Sequence, residues 1–189
     1  DQALRLFGIT HEDIILSSSP VHHSLGQRHL FMGLSVGATL IRNVPFSVSG
    51  WLSCVHSYQP TFAIPVSTQI KLLEDQLSAR PSTLTSFKTL VMSSAPCSPA
   101  LKQFLFDQNI DLWETYGCTE TAFATATKIS NLNQLDHVGD PVDGVDIVVD
   151  PDTQEIKVKT PFLCQGYLGQ ESLFRKSLDG NGFFNTGDR

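Results

Sequence analysis

Thr115-Tyr116-Gly117-Cys118-Thr119-Glu120-Thr121 is the stretch on which the fold turns. It follows the apolar-rich run Ile110-Asp111-Leu112-Trp113-Glu114 and precedes mostly small residues. An aromatic face, a glycine turn, a hydroxyl and a carboxylate fall close together. Tyr116 can stack on a purine. Gly117 lets backbone approach a ligand closely. Thr119 can donate to a phosphate oxygen, and Glu120 can give Mg²⁺ a hard oxygen. Read alone, the same residues also fit a strand end turning into a helix, with Thr119 or Thr121 as N-cap.

Working upstream, apolar strands alternate with helical segments. Residues 2–8 read as the end of a helix, 14–17 as a strand, 25–36 as a helix closed by Gly37, and 38–41 as a strand. Ser47 or Ser49 starts a helix through Tyr58; Pro60 breaks it before a strand at 61–64. A helix follows over 67–77, a Pro/Ser/Thr-rich loop over 79–86, and a strand over 88–92. Ser98 and Pro99 open the next helix, which runs to about Asp107. Residues 110–114 then form the strand that feeds 115–121. This alternation predicts an α/β fold with a mainly parallel sheet flanked by helices over residues 1 to about 128. The loops 18–26, 93–97 and 115–121 all fall at the C-terminal ends of strands, where open α/β sheets bind ligands.

Downstream the pattern changes. Residues 145–149 and 155–159 flank Asp150-Pro151-Asp152-Thr153-Gln154, a hairpin signal. The rest is turn-rich, with Gly166-Tyr167 and Phe183-Phe184. Residues 129–189 are expected to form a β subdomain, part of a small distorted β-barrel or an irregular sheet.

The chain has 189 residues, a hydrophobic fraction of 41% and a net charge of −6. The acidic balance and the lack of a basic run argue against a nucleic-acid surface. The four cysteines are widely spaced and form no C-x-x-C pair, so reduced thiols and a cytoplasmic location are expected. No apolar run is long enough for a membrane span. The chain begins at Asp1 without Met and stops at Arg189, just after a turn, which suggests a piece of a longer protein.

Further short motifs stand in order around the central stretch. They are Pro20-Val21-His22-His23-Ser24-Leu25-Gly26; Ser94-Ala95-Pro96; Val138-Gly139-Asp140-Pro141 with Gly144; Glu155-Ile156-Lys157-Val158; Gly166-Tyr167; and Phe183-Phe184-Asn185-Thr186-Gly187-Asp188. With Tyr116-Gly117-Cys118-Thr119-Glu120 as a Y-G-x-T-E core, they resemble the adenylate-forming superfamily of acyl- and aryl-CoA synthetases, firefly luciferase and peptide-synthetase adenylation domains. The resemblance covers nearly the whole chain and places it in the large N-terminal domain.

The resemblance implies an ATP-dependent ligase that activates a small carboxylic acid with Mg²⁺ to an acyl-adenylate, then passes the acyl group to CoA or a carrier-protein thiol. It implies that Tyr116 stacks on adenine, with Gly117 beside it. Ser94, Ala95 and Pro96 would border the adenine and acyl pockets, and Thr119 would contact the α-phosphate of ATP, later AMP. Glu120 would hold the metal, Asp188 would accept the ribose hydroxyls, and His23 would lie near the carboxylate being activated. Alone, Asp188 reads as a turn residue and His23 as a loop histidine bonded to backbone. Glu155 reads as structural. His11, His29, His56 and His137 read as surface or core residues, and Cys118 as a packing residue.

Some positions depart from the family pattern. Ser94 and Gln154 stand where glycine is common, and Asp143 where proline is usual. Thr115 replaces a common glycine and points to a small or medium acid. The phosphate loop expected upstream and the C-terminal domain with its lysine are not found in these residues. The 189-residue piece is therefore expected to be inactive by itself. The alternatives are a nucleotide-binding module without chemistry and an amino-acid-activating domain. The latter is disfavoured because neither the loop ending at His23 nor the run 93–97 offers a carboxylate for an amine.

Overall fold

The computed structural model describes residues 2–95, 97–131 and 137–189. The chain divides into two compact units, one of residues 1–114 and 127–137, the other of residues 115–126 and 138–189.

The first unit is a parallel sheet with helices on both faces. In chain order its elements are α1 (Gln2–Phe7), β1 (Ile14–Ser17), α2 (Ser24–Val36), β2 (Thr39–Arg42), α3 (Val48–Tyr58), β3 (Phe62–Ala63), α4 (Ser67–Ala79), β4 (Thr89–Met92), α5 (Pro99–Phe106) and the start of β5 (Asp111–Cys118). The strands are ordered β2-β1-β3-β4-β5, and each pairing is parallel, with Ile15 opposite Leu40 and Phe62, and Leu90 opposite Ala63 and Leu112. The 79–86 loop carries a short 3₁₀ turn, Pro81–Leu84.

Strand periodicity sorts the apolar side chains into two layers. Leu16, Ala63, Leu90, Met92 and Leu112 face Trp51 and Val55 of α3, Ile70, Leu73 and Leu77 of α4, and Leu101 and Leu105 of α5. Their strand neighbours turn the other way. Phe62 meets Phe7 of α1 at 5.7 Å and His29 of α2 at 6.5 Å between ring centroids. The helix starts follow their caps. Ser47 Oγ accepts from Gly50 N at 3.1 Å, and Ser98 Oγ accepts from Leu101 N at 3.3 Å, with Pro99 in the first turn of α5.

The second unit is β-rich. Strand β6 (Ala122–Lys128) pairs antiparallel with β7 (Asp140–Pro141), through Thr125–Pro141 and Ala126–Asp140. Strands β8 (Asp146–Val149), β9 (Ile156–Lys159) and β10 (Phe184–Asn185) form an antiparallel sheet in the order β10-β9-β8. Among the described residues this sheet is open, and no closed barrel is present. The expected hairpin is there, with its loop fixed by Asp150. Its Oδ1 accepts from Thr153 N at 2.9 Å, and its Oδ2 pairs with Lys157 Nζ at 2.7 Å. A small core of Ala124, Val145 and Val158 is lined by Tyr116, Val142, Ile147 and Ile156.

The continuous turn-rich β pattern expected after Gly166 is corrected by a helix, α6 (Glu171–Lys176). Glu171 in its first turn and Arg175 and Lys176 in its last complement the helix dipole. Phe174 buries itself against Tyr167 and Phe184, at 5.5 and 6.1 Å between ring centroids.

Candidate functional site

Residues 115–121 are neither a strand end running into a helix nor a helix cap. Strand β5 continues to Cys118, the chain turns over 119–121, and it returns as β6. The helix alternative fails for a local reason. A Cβ at Gly117 would stand 1.9 Å from the Ala122 carbonyl oxygen, so only glycine lets the two arms close. Thr121, fully buried, accepts from Cys118 N through its hydroxyl at 3.2 Å. The β-branched Thr121, Thr125 and Thr127 favour the strand that follows. Gly117 therefore has a folding role independent of any ligand. Cys118 Sγ lies 3.2 Å from Thr121 Oγ1, and burial raises the thiol's pKa, which suits a packing residue and not a thiolate nucleophile.

The turn presents Thr119 at the surface and leaves Glu120 half-buried. Glu120 is tied twice to one segment. Its carbonyl accepts from Cys164 N at 2.7 Å, and its Oε1 accepts from Tyr167 Oη at 2.6 Å. Among the described residues no three His, Cys, Asp or Glu side chains gather as a metal cage. A single carboxylate fits a Mg²⁺ that takes its remaining ligands from phosphates and water, as this ion usually does.

Asp188 is exposed, yet its backbone is firmly held. Ile156 N donates to Asp188 O at 2.8 Å, and Asp188 N donates to Thr186 Oγ1 at 3.1 Å. Gly187 N donates to Glu155 Oε1 at 2.9 Å, and Thr186 Oγ1 donates to Ile156 O at 2.6 Å. Glu155 thus fastens the Thr-Gly-Asp turn to the head of β9. That gives a specific content to its expected structural role. Tyr116, whose ring lines the small core, donates from Oη to Asp188 Oδ2 at 2.8 Å. Burial, and then the neighbouring Asp188 carboxylate, push the phenol up to about 12, so it stays a donor. The second unit therefore brings Tyr116, Gly117, Thr119, Glu120 and Asp188 together on one framework. It offers an aromatic ring, a hydroxyl and two separate carboxylates.

The remaining predicted residues lie in the first unit. His23 is exposed and N-caps α2 without a side-chain bond, its ring 4.5 Å from that of His22. His23 N donates to Pro20 O at 3.0 Å, and a Cβ at Gly26 would stand 2.1 Å from the same oxygen. The loop's glycine is thus required by its own tight turn. Ser94 and Ala95 are exposed after β4, and Pro96 lies outside the described residues. The N-terminus of α4 ties the two loops together. Ser67 Oγ donates to the carbonyls of Ser93 and Ala95, while Gln69 Nε2 donates to Ser18 O at 3.0 Å and Gln69 Oε1 accepts from Val66 N at 3.2 Å. Sequence reasoning missed Ser67 and Gln69, because nothing in helix periodicity marks which polar residue faces a loop. It also missed the partnership of Tyr167 with Glu120. The Gly166-Tyr167 pair was visible only as a motif fragment.

Of the other histidines, His29 is fully buried, with Nδ1 3.3 Å from Ser17 Oγ. Beneath the sheet end, Lys102 Nζ lies 3.0 Å from Glu114 Oε2, both side chains almost wholly buried. Burial raises the Glu114 pKa and Lys102 opposes it.

A protein-family model described as "AMP-binding enzyme" matches residues 2–168. The 2-succinylbenzoate–CoA ligase of Bacillus subtilis is 27% identical over 191 residues, covering 96% of this chain and 38% of that protein. The solved O-succinylbenzoate CoA synthetase of Bacillus subtilis, in complex with ATP and magnesium, superposes with a TM-score of 0.84 at 25% identity, over 98% of this chain and 40% of that one. The same enzyme with its acyl-adenylate intermediate gives a TM-score of 0.85 at 25% identity, with the same coverage. The chain spans about two fifths of the length of these relatives.

Proposed function

The chain belongs to the AMP-binding enzyme family, and we propose that it is part of an ATP-dependent ligase that joins a carboxylic acid to AMP and then to the thiol of CoA. The observation that carries this is the framework of the second unit, where Tyr116 is bonded to Asp188 and Glu120 is held on the adjoining turn. A carboxylate accepts two ribose hydroxyls at once, and Asp188 is exposed on a turn fixed by Glu155. The Tyr116 ring offers a stacking face for adenine. Thr119, exposed on the turn, is assigned to the α-phosphate, and Glu120 to Mg²⁺. The cation, when bound, neutralises phosphate charge and so favours nucleotidyl transfer.

In the first unit His23 is assigned to the carboxylate under activation, and Ser94, Ala95 and Pro96 to the pocket border. Thr115, buried within β5, is assigned a limit on acyl size, which favours a small or medium acid. CoA is preferred to a carrier-protein thiol because the relatives it matches are CoA ligases. The cytoplasm is the assigned compartment, and the four cysteines stand as free thiols. No described helix is long and apolar enough to cross a membrane.

The test is acid-dependent exchange of pyrophosphate into ATP, run on the protein expressed from its full reading frame with a panel of short and aromatic carboxylic acids. Exchange with one acid class, followed by thioester formation on adding CoA, is expected. Nucleotide binding without any acid-dependent exchange would favour a binding module instead. The 189-residue stretch alone is expected to make no acyl-adenylate, its relatives being more than twice its length.

A further inference from the structure

Glu120 sits on a three-residue turn between two strands, where a free carboxylate would sample several rotamers. The structure holds it by other means. Tyr167 lies 47 residues downstream, and its hydroxyl donates to Glu120 Oε1 at 2.6 Å. Cys164, three residues earlier on the same segment, donates its N–H to the Glu120 carbonyl at 2.7 Å. Backbone and side chain of Glu120 are therefore referred to one support.

That support is itself anchored. The Tyr167 ring meets Phe174 of α6 nearly edge-on, at 5.5 Å and 87°. Phe174 is buried and lies 6.1 Å from Phe184 of β10, next to Asn185. Tyr167 O accepts from Gln170 N at 3.0 Å, which fixes the turn leading into α6. An ionised carboxylate can only accept, so the phenolic hydroxyl is the donor of this bond.

A carboxylate that serves Mg²⁺ through one oxygen works best when the other is occupied by a donor. The donor fixes the carboxylate plane and prevents a bidentate grip that the ion's octahedral geometry disfavours. We propose that Tyr167 is a positioning residue for the cation: its hydroxyl holds Glu120 Oε1 so that Oε2 is presented to the Mg²⁺ of a bound nucleoside triphosphate. This rests on Glu120 being the carboxylate that takes the cation.

The experiment uses the protein expressed from its full reading frame, with Tyr167→Phe and Glu120→Gln beside the unaltered chain. The phenylalanine keeps the ring on Phe174 and removes only the hydroxyl. ATP binding is titrated by calorimetry at a series of Mg²⁺ concentrations, and AMP binding is measured in chelator. For Tyr167→Phe the Mg²⁺ concentration needed for half-maximal ATP affinity should rise about 10-fold, the usual scale for loss of a ligand's supporting hydrogen bond. AMP affinity without metal should stay within about 2-fold of the original, since a bond to the cation carboxylate has no part in it. A Mg²⁺ dependence altered in Glu120→Gln but unchanged in Tyr167→Phe would overturn the positioning role and leave Glu120 as the ligand. An unchanged dependence in Glu120→Gln would overturn both. Equal losses of ATP and AMP affinity in Tyr167→Phe would also overturn it, by making Tyr167 a general packing residue.

Discussion

The hydroxyl of Tyr116 donates to the carboxylate of Asp188 across 72 residues of sequence, at 2.8 Å. The bond couples the aromatic ring assigned to adenine to the carboxylate assigned to ribose. Removing it should blunt nucleotide binding without dismantling the unit, because the ring stays packed against the small core of Ala124, Val145 and Val158. Tyr116→Phe is expected to weaken AMP binding about 2- to 10-fold, the equivalent of one hydrogen bond to a partly exposed acceptor. Calorimetry with AMP checks this, and an unchanged affinity would mean that the bond does not order Asp188 for the ligand.

Ser94 has φ 77° and Gln154 has φ 60°. Both are non-glycine residues in a left-handed backbone, at positions where the resemblance puts glycine. A side chain there clashes with its own carbonyl region. Ser94→Gly and Gln154→Gly should each stabilise the fold by about 0.5–1 kcal/mol, after allowing for the looser unfolded chain. Urea midpoints that rise with unchanged slopes would bear this out. Midpoints that fall would show that side-chain contacts at these positions outweigh the strain.

His29 should make stability depend on pH. Burial, with the charge of Arg28 adding to it, lowers its pKa to about 4, against a backbone hydrogen bond that opposes the shift. The unfolded chain holds its proton up to about pH 6.5. Between those values the unfolded state binds more protons, so stability is full above about pH 6.5 and falls as the pH drops toward 4. The loss amounts to about 1.4 kcal/mol per pH unit in that window. His29→Gln should flatten this slope in urea unfolding series, while a slope equal to that of the unaltered chain would assign it to other groups.

Lys102 and Glu114 form an ion pair of 3.0 Å that is nearly fully buried. Lys102→Met leaves a carboxylate buried without its cation and should cost about 3–5 kcal/mol. Lys102→Met with Glu114→Gln should recover most of that loss. The double-mutant cycle in urea measures the coupling, and additive losses would mean that the two charges do not depend on each other.

Much of this fold was legible because its strands are short, apolar and punctuated. Ser47, Pro60, Ser98 and Pro99 mark helix boundaries by capping and by the missing proline N–H, and the elements start or stop there. The turn at 119–121 was harder. Its decisive feature is the closeness of Gly117 to the Ala122 carbonyl, which is a pairing property and leaves no local sign. Helix α6 was hidden for a similar reason. At six residues it is too short to show a period, and it is held by the contacts of Phe174. Tyr116, Glu120 and Asp188 were readable as motif residues. Glu155 and Tyr167 were also readable as motif residues, but their part in holding this framework rests on hydrogen bonds spanning 32 and 47 positions, which leave no local sign.

The most direct test of the central claim is calorimetric binding of AMP to the protein expressed from its full reading frame, with Asp188→Asn alongside. If Asp188 takes the ribose hydroxyls, AMP binds the unaltered protein, and Asp188→Asn weakens it about 10-fold or more, as expected for charge-assisted hydrogen bonds. Equal AMP affinity in both proteins, or no AMP binding to the unaltered one, would contradict an adenylate site built on Tyr116 and Asp188.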